Sequence, residues 1–203
     1  MSIPGSQWCV FGNTLTQGLV SFSEDKGATW SIPAAVSKSF DTNAAIWDGL
    51  QYIAVGSTLA DLPATYSSSD AIVWTENLLP ITVLRNRPIA SGNGFFMAGD
   101  SLHNAVYVSD TLAGLSSATA TPVGFLPQTA DHGLYCVGYG LFNGSPTFVA
   151  IGVSGGSALS LDNGSTWTPT KLNFGPGDSA QIVVFGNNTF VASGDAGDIS
   201  TLP

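Results

Sequence analysis

A short apolar run that closes on glycine recurs along the chain. It reads Tyr52-Ile-Ala-Val-Gly56, Phe95-Phe-Met-Ala-Gly99, Phe148-Val-Ala-Ile-Gly152 and Phe190-Val-Ala-Ser-Gly194, with a weaker copy at Trp8-Cys-Val-Phe-Gly12. Runs this short, rich in aromatic and β-branched residues and bounded by turn formers, predict buried strands. Before each clear copy stands another apolar strand and a tight turn: Ala45-Ile-Trp-Asp48-Gly49, Ile89-Ala-Ser-Gly92-Asn93-Gly94, Gly140-Leu-Phe-Asn143-Gly144 and Val183-Val-Phe-Gly186-Asn187-Asn188. Asp-Gly and Asn-Gly supply the positive φ angles that a two-residue hairpin demands. A third strand follows, as in Leu19–Ser23, Ala64–Ser67, Ala105–Ser109 and Ala158–Ser160.

After the third strand comes a turn that repeats almost literally. Ser23-Glu-Asp25-Lys-Gly27-Ala-Thr29-Trp30 returns as Ser160-Leu-Asp162-Asn-Gly164-Ser-Thr166-Trp167, five matching positions in eight. Its Thr-Trp opens a fourth strand. The ungapped copy Ser67-Ser-Ser69-Asp-Ala71-Ile-Val73-Trp74 keeps the Ser and the Trp and loses the Asp and Gly, and at Ser109 only the first Ser survives. The closing glycines stand 44, 43, 53 and 42 residues apart. A four-stranded unit at that period is a propeller blade. The expected fold is therefore all-β: a small β-propeller of about five four-stranded antiparallel blades in one domain. The units are expected at about 5–36, 44–80, 86–122, 133–171 and 180–203.

The last unit stops inside its turn, so its fourth strand is missing or comes from elsewhere. Met1-Ser-Ile-Pro4 resembles Trp30-Ser-Ile-Pro33 and would supply it, closing the ring by pairing the termini. The first unit then lacks either its first or its second strand, and the two alignments stay open.

Composition agrees with strands and turns. Only 9% of the 203 residues are charged, 24 are Gly, and Glu24 and Glu76 are the only glutamates. The net charge of −9 disfavours nucleic acid, whose phosphates need clustered Lys and Arg. An anionic membrane surface is disfavoured on the same ground, and no apolar stretch is long enough to insert. Cys9 and Cys136 sit in apolar runs and read as buried free thiols. The N-terminus shows no signal-peptide pattern, which predicts synthesis in a cytoplasm.

The octapeptide resembles the Asp-box of sialidase-type (BNR) repeats. That resemblance implies that Ser23, Asp25, Gly27, Thr29, Trp30, Ser160, Asp162, Gly164, Thr166 and Trp167, with Trp74, are structural. The Asp would fold back onto backbone N–H groups and the Trp would pack between blades. Asx-turn chemistry explains the first role and buried area the second. The family's hydrolytic site, a clamp of three arginines with a Tyr–Glu pair and an acidic Asp, does not carry over. Arg85 and Arg87 are the only arginines and lie two residues apart.

No catalytic, metal or cofactor site is expected. Asp41, Asp48, Asp61, Asp100, Asp110 and Asp131 stand mostly beside turn residues. His103 and His132 are the only histidines and lack a nucleophile elbow. Asp195-Ala-Gly-Asp198 lacks the remaining ligands of a calcium loop. The repeat style also resembles the propeller repeats of phage tail and virion proteins. The expectation is a non-catalytic structural or binding module of a virion, with other virion proteins or a host-surface glycan as partner and a larger symmetric assembly as setting. A soluble lectin, a cytoplasmic protein and a glycan hydrolase are the alternatives. Contact is expected in the loops that vary between units: Thr58–Ala64, Ser101–Asn104, Ala113–Thr121 and Leu126–Leu134. Their candidate residues are Thr58, Asp61, His103, Asn104, Leu115, Asp131 and His132.

Overall fold

The structure is a computed structural model that describes residues 8–13, 18–32, 34–36, 40–58, 60, 62–79, 88–100, 104–124, 133–175 and 177–202. The chain divides into two compact units, residues 1–84 and 85–203.

The first unit holds two sheets. One runs β1 (Trp8–Asn13), β2 (Gly18–Ser23), β3 (Ala34–Ala35). The other runs β4 (Phe40–Trp47), β5 (Tyr52–Thr58), β6 (Pro63–Ser68), β7 (Thr75–Leu78). The second unit holds three. They are β8 (Ile89–Gly92) to β11 (Ala120–Pro122) by way of β9 (Phe95–Asp100) and β10 (Ala105–Ser109); β12 (Leu134–Phe142), β13 (Ser145–Gly152), β14 (Gly156–Ser160), β15 (Thr168–Lys171); and β16 (Ala180–Gly186), β17 (Thr189–Gly194), β18 (Ile199–Thr201). Every sheet is an antiparallel meander in which each strand pairs with its neighbour in sequence. The single helical piece among the described residues is a short 3-10 turn, Ala113–Ser117.

The hairpins form where the turn chemistry permits them. Asn93-Gly94, Asn143-Gly144 and Asn187-Asn188 all take positive φ at both positions, the conformation that matches strand twist. Asp48-Gly49 solves the same problem differently. The Asp48 carboxylate accepts N–H bonds from Leu50 and Gln51, both at 2.8 Å. The first strand of three sheets also carries a bulge at one place, just after the residue opposite the closing glycine: Thr42 opposite Gly56, Leu134 opposite Gly152, Ala180 opposite Gly194. A bulge adds local twist, and its recurrence shows the repeat at backbone level.

Alternate residues of each sheet pack on the sheet beside it. In the first unit Tyr52, Ala54, Tyr66 and Trp74 bury against Val20, Cys9, Phe11 and Phe22. In the second, Met97 and Val106 meet Leu134, Val137 and Phe148. On the other face of that central sheet, Val149 and Ile151 meet Phe190 and Ala192. Two glycines make close approach possible. A Cβ on Gly92 would fall inside the ring of Tyr139, and one on Gly140 inside the ring of Phe185.

The first sheet settles one open alignment. Trp8 of β1 lies opposite Ser23, the first residue of the octapeptide, just as Phe148 of β13 lies opposite Ser160. β1 is thus a second strand, and no first strand precedes it among the described residues. The last sheet has its first three strands. The proposed terminal pairing falls on Met1–Pro4, outside the described residues.

Candidate functional site

An open cleft of about 460 Å³ lies in the first unit, lined by Trp8, Cys9, Val10 and Phe11 of β1, Trp30 of the first octapeptide, and Ala45, Ile46 and Trp47 of β4, with Tyr52. Trp8, Trp30 and Trp47 are 54%, 43% and 46% exposed. They are three of the five tryptophans in the chain. Tyr52 is buried, its ring 4.6 Å from Trp47 and 6.3 Å edge-on from Phe11. Its hydroxyl interacts with the Cys9 thiol. Burial, then that thiol, push the Tyr52 phenol upward, and burial raises Cys9 as well. No lining residue carries a formal charge.

Physical reasons place each tryptophan there. Trp47 ends β4 just before the Asp48 turn. Trp30 and Trp8 both rest on Gly27, within 3.8 Å and 3.4 Å of where its Cβ would stand. The octapeptide fixes Trp30 by a bond from its indole Nε1–H to the Gly27 carbonyl, 3.1 Å.

The two octapeptides superpose bond for bond. Ser23 and Ser160 donate to Asp25 and Asp162 at 2.8 Å. Each serine Oγ also accepts the N–H of Gly27 or Gly164 at 2.7 Å. Each aspartate then accepts the N–H and hydroxyl of Thr29 or Thr166 at 2.8 and 2.6 Å. Those threonine bonds, ahead of the serine's, hold the Asp25 carboxyl down at about 2 and lower Asp162 likewise.

The third copy corrects the sequence reading. Its aspartate is not lost but shifted, because the turn is one residue shorter. Ser68 donates to Asp70 at 2.9 Å, Asp70 accepts the N–H groups of Ile72 and Val73, and Trp74 Nε1–H bonds the Ala71 carbonyl at 2.9 Å. Ala71 alone takes positive φ where the full copies use Lys26-Gly27 and Asn163-Gly164.

The three tryptophans of these turns do not share one environment. Trp74 is buried, edge-on to Phe11 of the sheet before it at 5.4 Å. Trp167 packs on the Met97–Val106 cluster of the sheet before it. Trp30 belongs to the sheet that opens its unit and is left facing the cleft.

The expected contact residues scatter. Thr58 Oγ1 accepts the N–H groups of Ala60 and Leu62 at 3.2 Å and holds its own loop. Asn104 takes positive φ, and its carbonyl accepts the Val123 N–H at 2.7 Å. Leu115 is a correction: it is fully buried, because the 3-10 turn folds it inward against β9 and β10. Asp61, His103, Asp131 and His132 lie outside the described residues, as do Arg85 and Arg87. Sequence reading missed Trp8 and Trp47. The signal for Trp47 was its place opposite the aromatic that opens the second-strand motif, which Tyr139 and Phe185 share.

Several described carboxylates hold backbone. Besides the turn aspartates, Asp178, Asp195 and Asp198 accept N–H bonds from Ala196, Ser179 and Gly175. No group of three or more His, Cys, Asp or Glu among the described residues is placed to hold a metal ion. None of their helices is long and apolar enough to cross a membrane.

No protein-family model and no curated protein matches the sequence. Solved structures do. An α-L-arabinanase of Penicillium chrysogenum, complexed with arabinobiose, matches with a TM-score of 0.63 at 13% identity, over 98% of this chain and 68% of that one. The intramolecular trans-sialidase of Ruminococcus gnavus matches at 0.61 and 13%, over 91% and 49%. YCF48 bound to a D1 peptide matches at 0.53 and 15%, over 100% and 71%. This chain thus spans about half of the trans-sialidase and about two-thirds of the arabinanase. At such identities the likeness establishes the fold, a β-propeller, which the five blade-like sheets also carry; it assigns no activity.

Proposed function

We propose that this chain is a non-catalytic β-propeller module that binds a partner protein at the aromatic cleft of its first two sheets. The observation behind this reading is three tryptophans left half exposed around Tyr52 and Phe11. Contiguous exposed apolar surface marks contact sites, and tryptophan and tyrosine anchor them. Burying one such side chain contributes about 2–3 kcal/mol. A glycan is a poorer occupant. It needs polar partners, while the Trp30 indole N–H is already bonded.

Two arginines cannot build the three-arginine clamp of the sialidase type, and Asp25, Asp162, Asp195 and Asp198 are each held by backbone N–H groups rather than paired for glycoside hydrolysis. The peptide in the YCF48 complex supports a protein partner, at the level of fold analogy. The setting we propose, a virion component, rests on repeat style, and fixed stoichiometry in purified particles tests it. The function itself is tested by comparing the chain with a Trp8→Ala/Trp47→Ala variant. The wild type should retain a partner that the variant releases, and neither should hydrolyse arabinan or sialosides. Equal retention, or turnover, contradicts the proposal.

A further inference from the structure

In four of the five sheets a first strand lies antiparallel to the second; in the first sheet the place beside β1 is open among the described residues. The cleft runs along that place. Four consecutive residues of β1 line it, from both faces of the strand, and three consecutive residues of β4 do the same. Among the described residues β1 pairs only with β2, and β4 only with β5, so each presents a backbone edge with no described strand beside it. Such an edge is a template for another strand.

The second unit shows what belongs there. Tyr139 of β12 covers Gly92 of the preceding first strand, and Phe185 of β16 covers Gly140. Both aromatics sit opposite a second-strand phenylalanine, Tyr139 on Phe148 and Phe185 on Phe190, with ring centroids 5.0 and 4.8 Å apart. Trp47 holds the same position, opposite Tyr52 at 4.6 Å. It is 46% exposed, with the space of a first strand open beside it.

Resting on the binding reading above, we propose that the cleft accepts an extended segment of the partner as the inner strand of the first sheet. The segment pairs antiparallel along β1 and sets a glycine beneath Trp47. Backbone pairing gives it direction, the tryptophans take its apolar side chains, and the ring admits only a residue without Cβ at that point.

The test uses the full chain and a synthetic nonapeptide with the sequence of residues 180–188, a first strand carrying Phe185-Gly186, solubilised by terminal lysines. Tryptophan emission should shift blue and saturate. The peptide with Gly186→Leu should bind at least about tenfold more weakly, and a scrambled peptide should not bind. No saturable shift, or equal affinity of the two peptides, overturns the proposal. So does binding only to a chain lacking residues 1–7, because that segment would then fill the cleft. If the peptide fails but partner retention still depends on Trp8 and Trp47, strand donation is wrong and the cleft reading stands. If retention ignores both tryptophans, the cleft reading itself is wrong.

Discussion

Gly140→Ala is expected to destabilise the fold far more than Gly186→Ala. Both glycines occupy the same position of a first strand, one residue after Tyr139 or Phe185. A methyl at Gly140 would enter the Phe185 ring; at Gly186 no atom of the described residues lies within 4 Å. Phe185 cannot yield freely, because it is packed against Phe190 at 4.8 Å. Overpacking of this kind costs about 1–3 kcal/mol. For a domain near 200 residues, that lowers the melting temperature by about 2–4 °C per kcal/mol. Gly186→Ala should stay within about 0.5 kcal/mol, or stabilise slightly, since alanine restricts the unfolded chain. Thermal and urea unfolding of both variants measure the difference. In a Phe185→Leu background the cost of Gly140→Ala should shrink by about 0.5 kcal/mol or more, the coupling expected of residues in contact. Equal shifts for the two glycines, or no coupling to Phe185, would refute the aromatic-on-glycine packing that the proposed binding mode extends.

Trp74→Ala should cost about 3–5 kcal/mol in urea unfolding, as for a buried aromatic, whereas Trp30→Ala should cost much less; equal losses would deny their different burial. Asp70→Ala should destabilise by about 1 kcal/mol, because it removes the acceptor of two N–H groups; a neutral outcome would mean that the short turn is not held as described. The Asp25 carboxyl is depressed, so its turn contributes stability above the unfolded value of 3.8 and loses it as pH falls toward about 2. Carbon-13 NMR should find its midpoint near 2, and a midpoint near 3.8 would remove the threonine bonds. Burial pushes the Cys136 thiol up to about 12, so it should resist thiol reagents at pH 8 in the native protein; rapid labelling there would contradict its burial.

Much of the architecture is legible in the residues, for local reasons. The closing glycines recur in the second strand of all five sheets, and Asn-Gly, Asn-Asn or Asp-Gly turns form the first hairpin of the four that have a described first strand, since positive φ demands those residue types. The shortened third octapeptide was misread because an ungapped comparison cannot see a deletion. What the turn conserves is geometry: an Asp at its centre and a Trp Nε1–H three residues from its carbonyl partner. Leu115 was misplaced because a 3-10 turn, held by Thr111 at Gly114, carries it inward without any apolar periodicity. The aromatic cleft was hidden for a different reason. Trp30 and Trp167 sit in nearly identical octapeptides, and only the sheet lying opposite makes one exposed and the other packed. Burial is a property of the neighbour, which local sequence does not carry.

The five tryptophan indole N–H resonances test the binding account most directly, when followed by NMR as the nonapeptide is added to the full chain. Trp8 and Trp47 should shift progressively and saturate, while Trp74 and Trp167, packed against the sheet before each, hold still. Unchanged indole signals for Trp8 and Trp47, or shifts spread equally over all five, would contradict it.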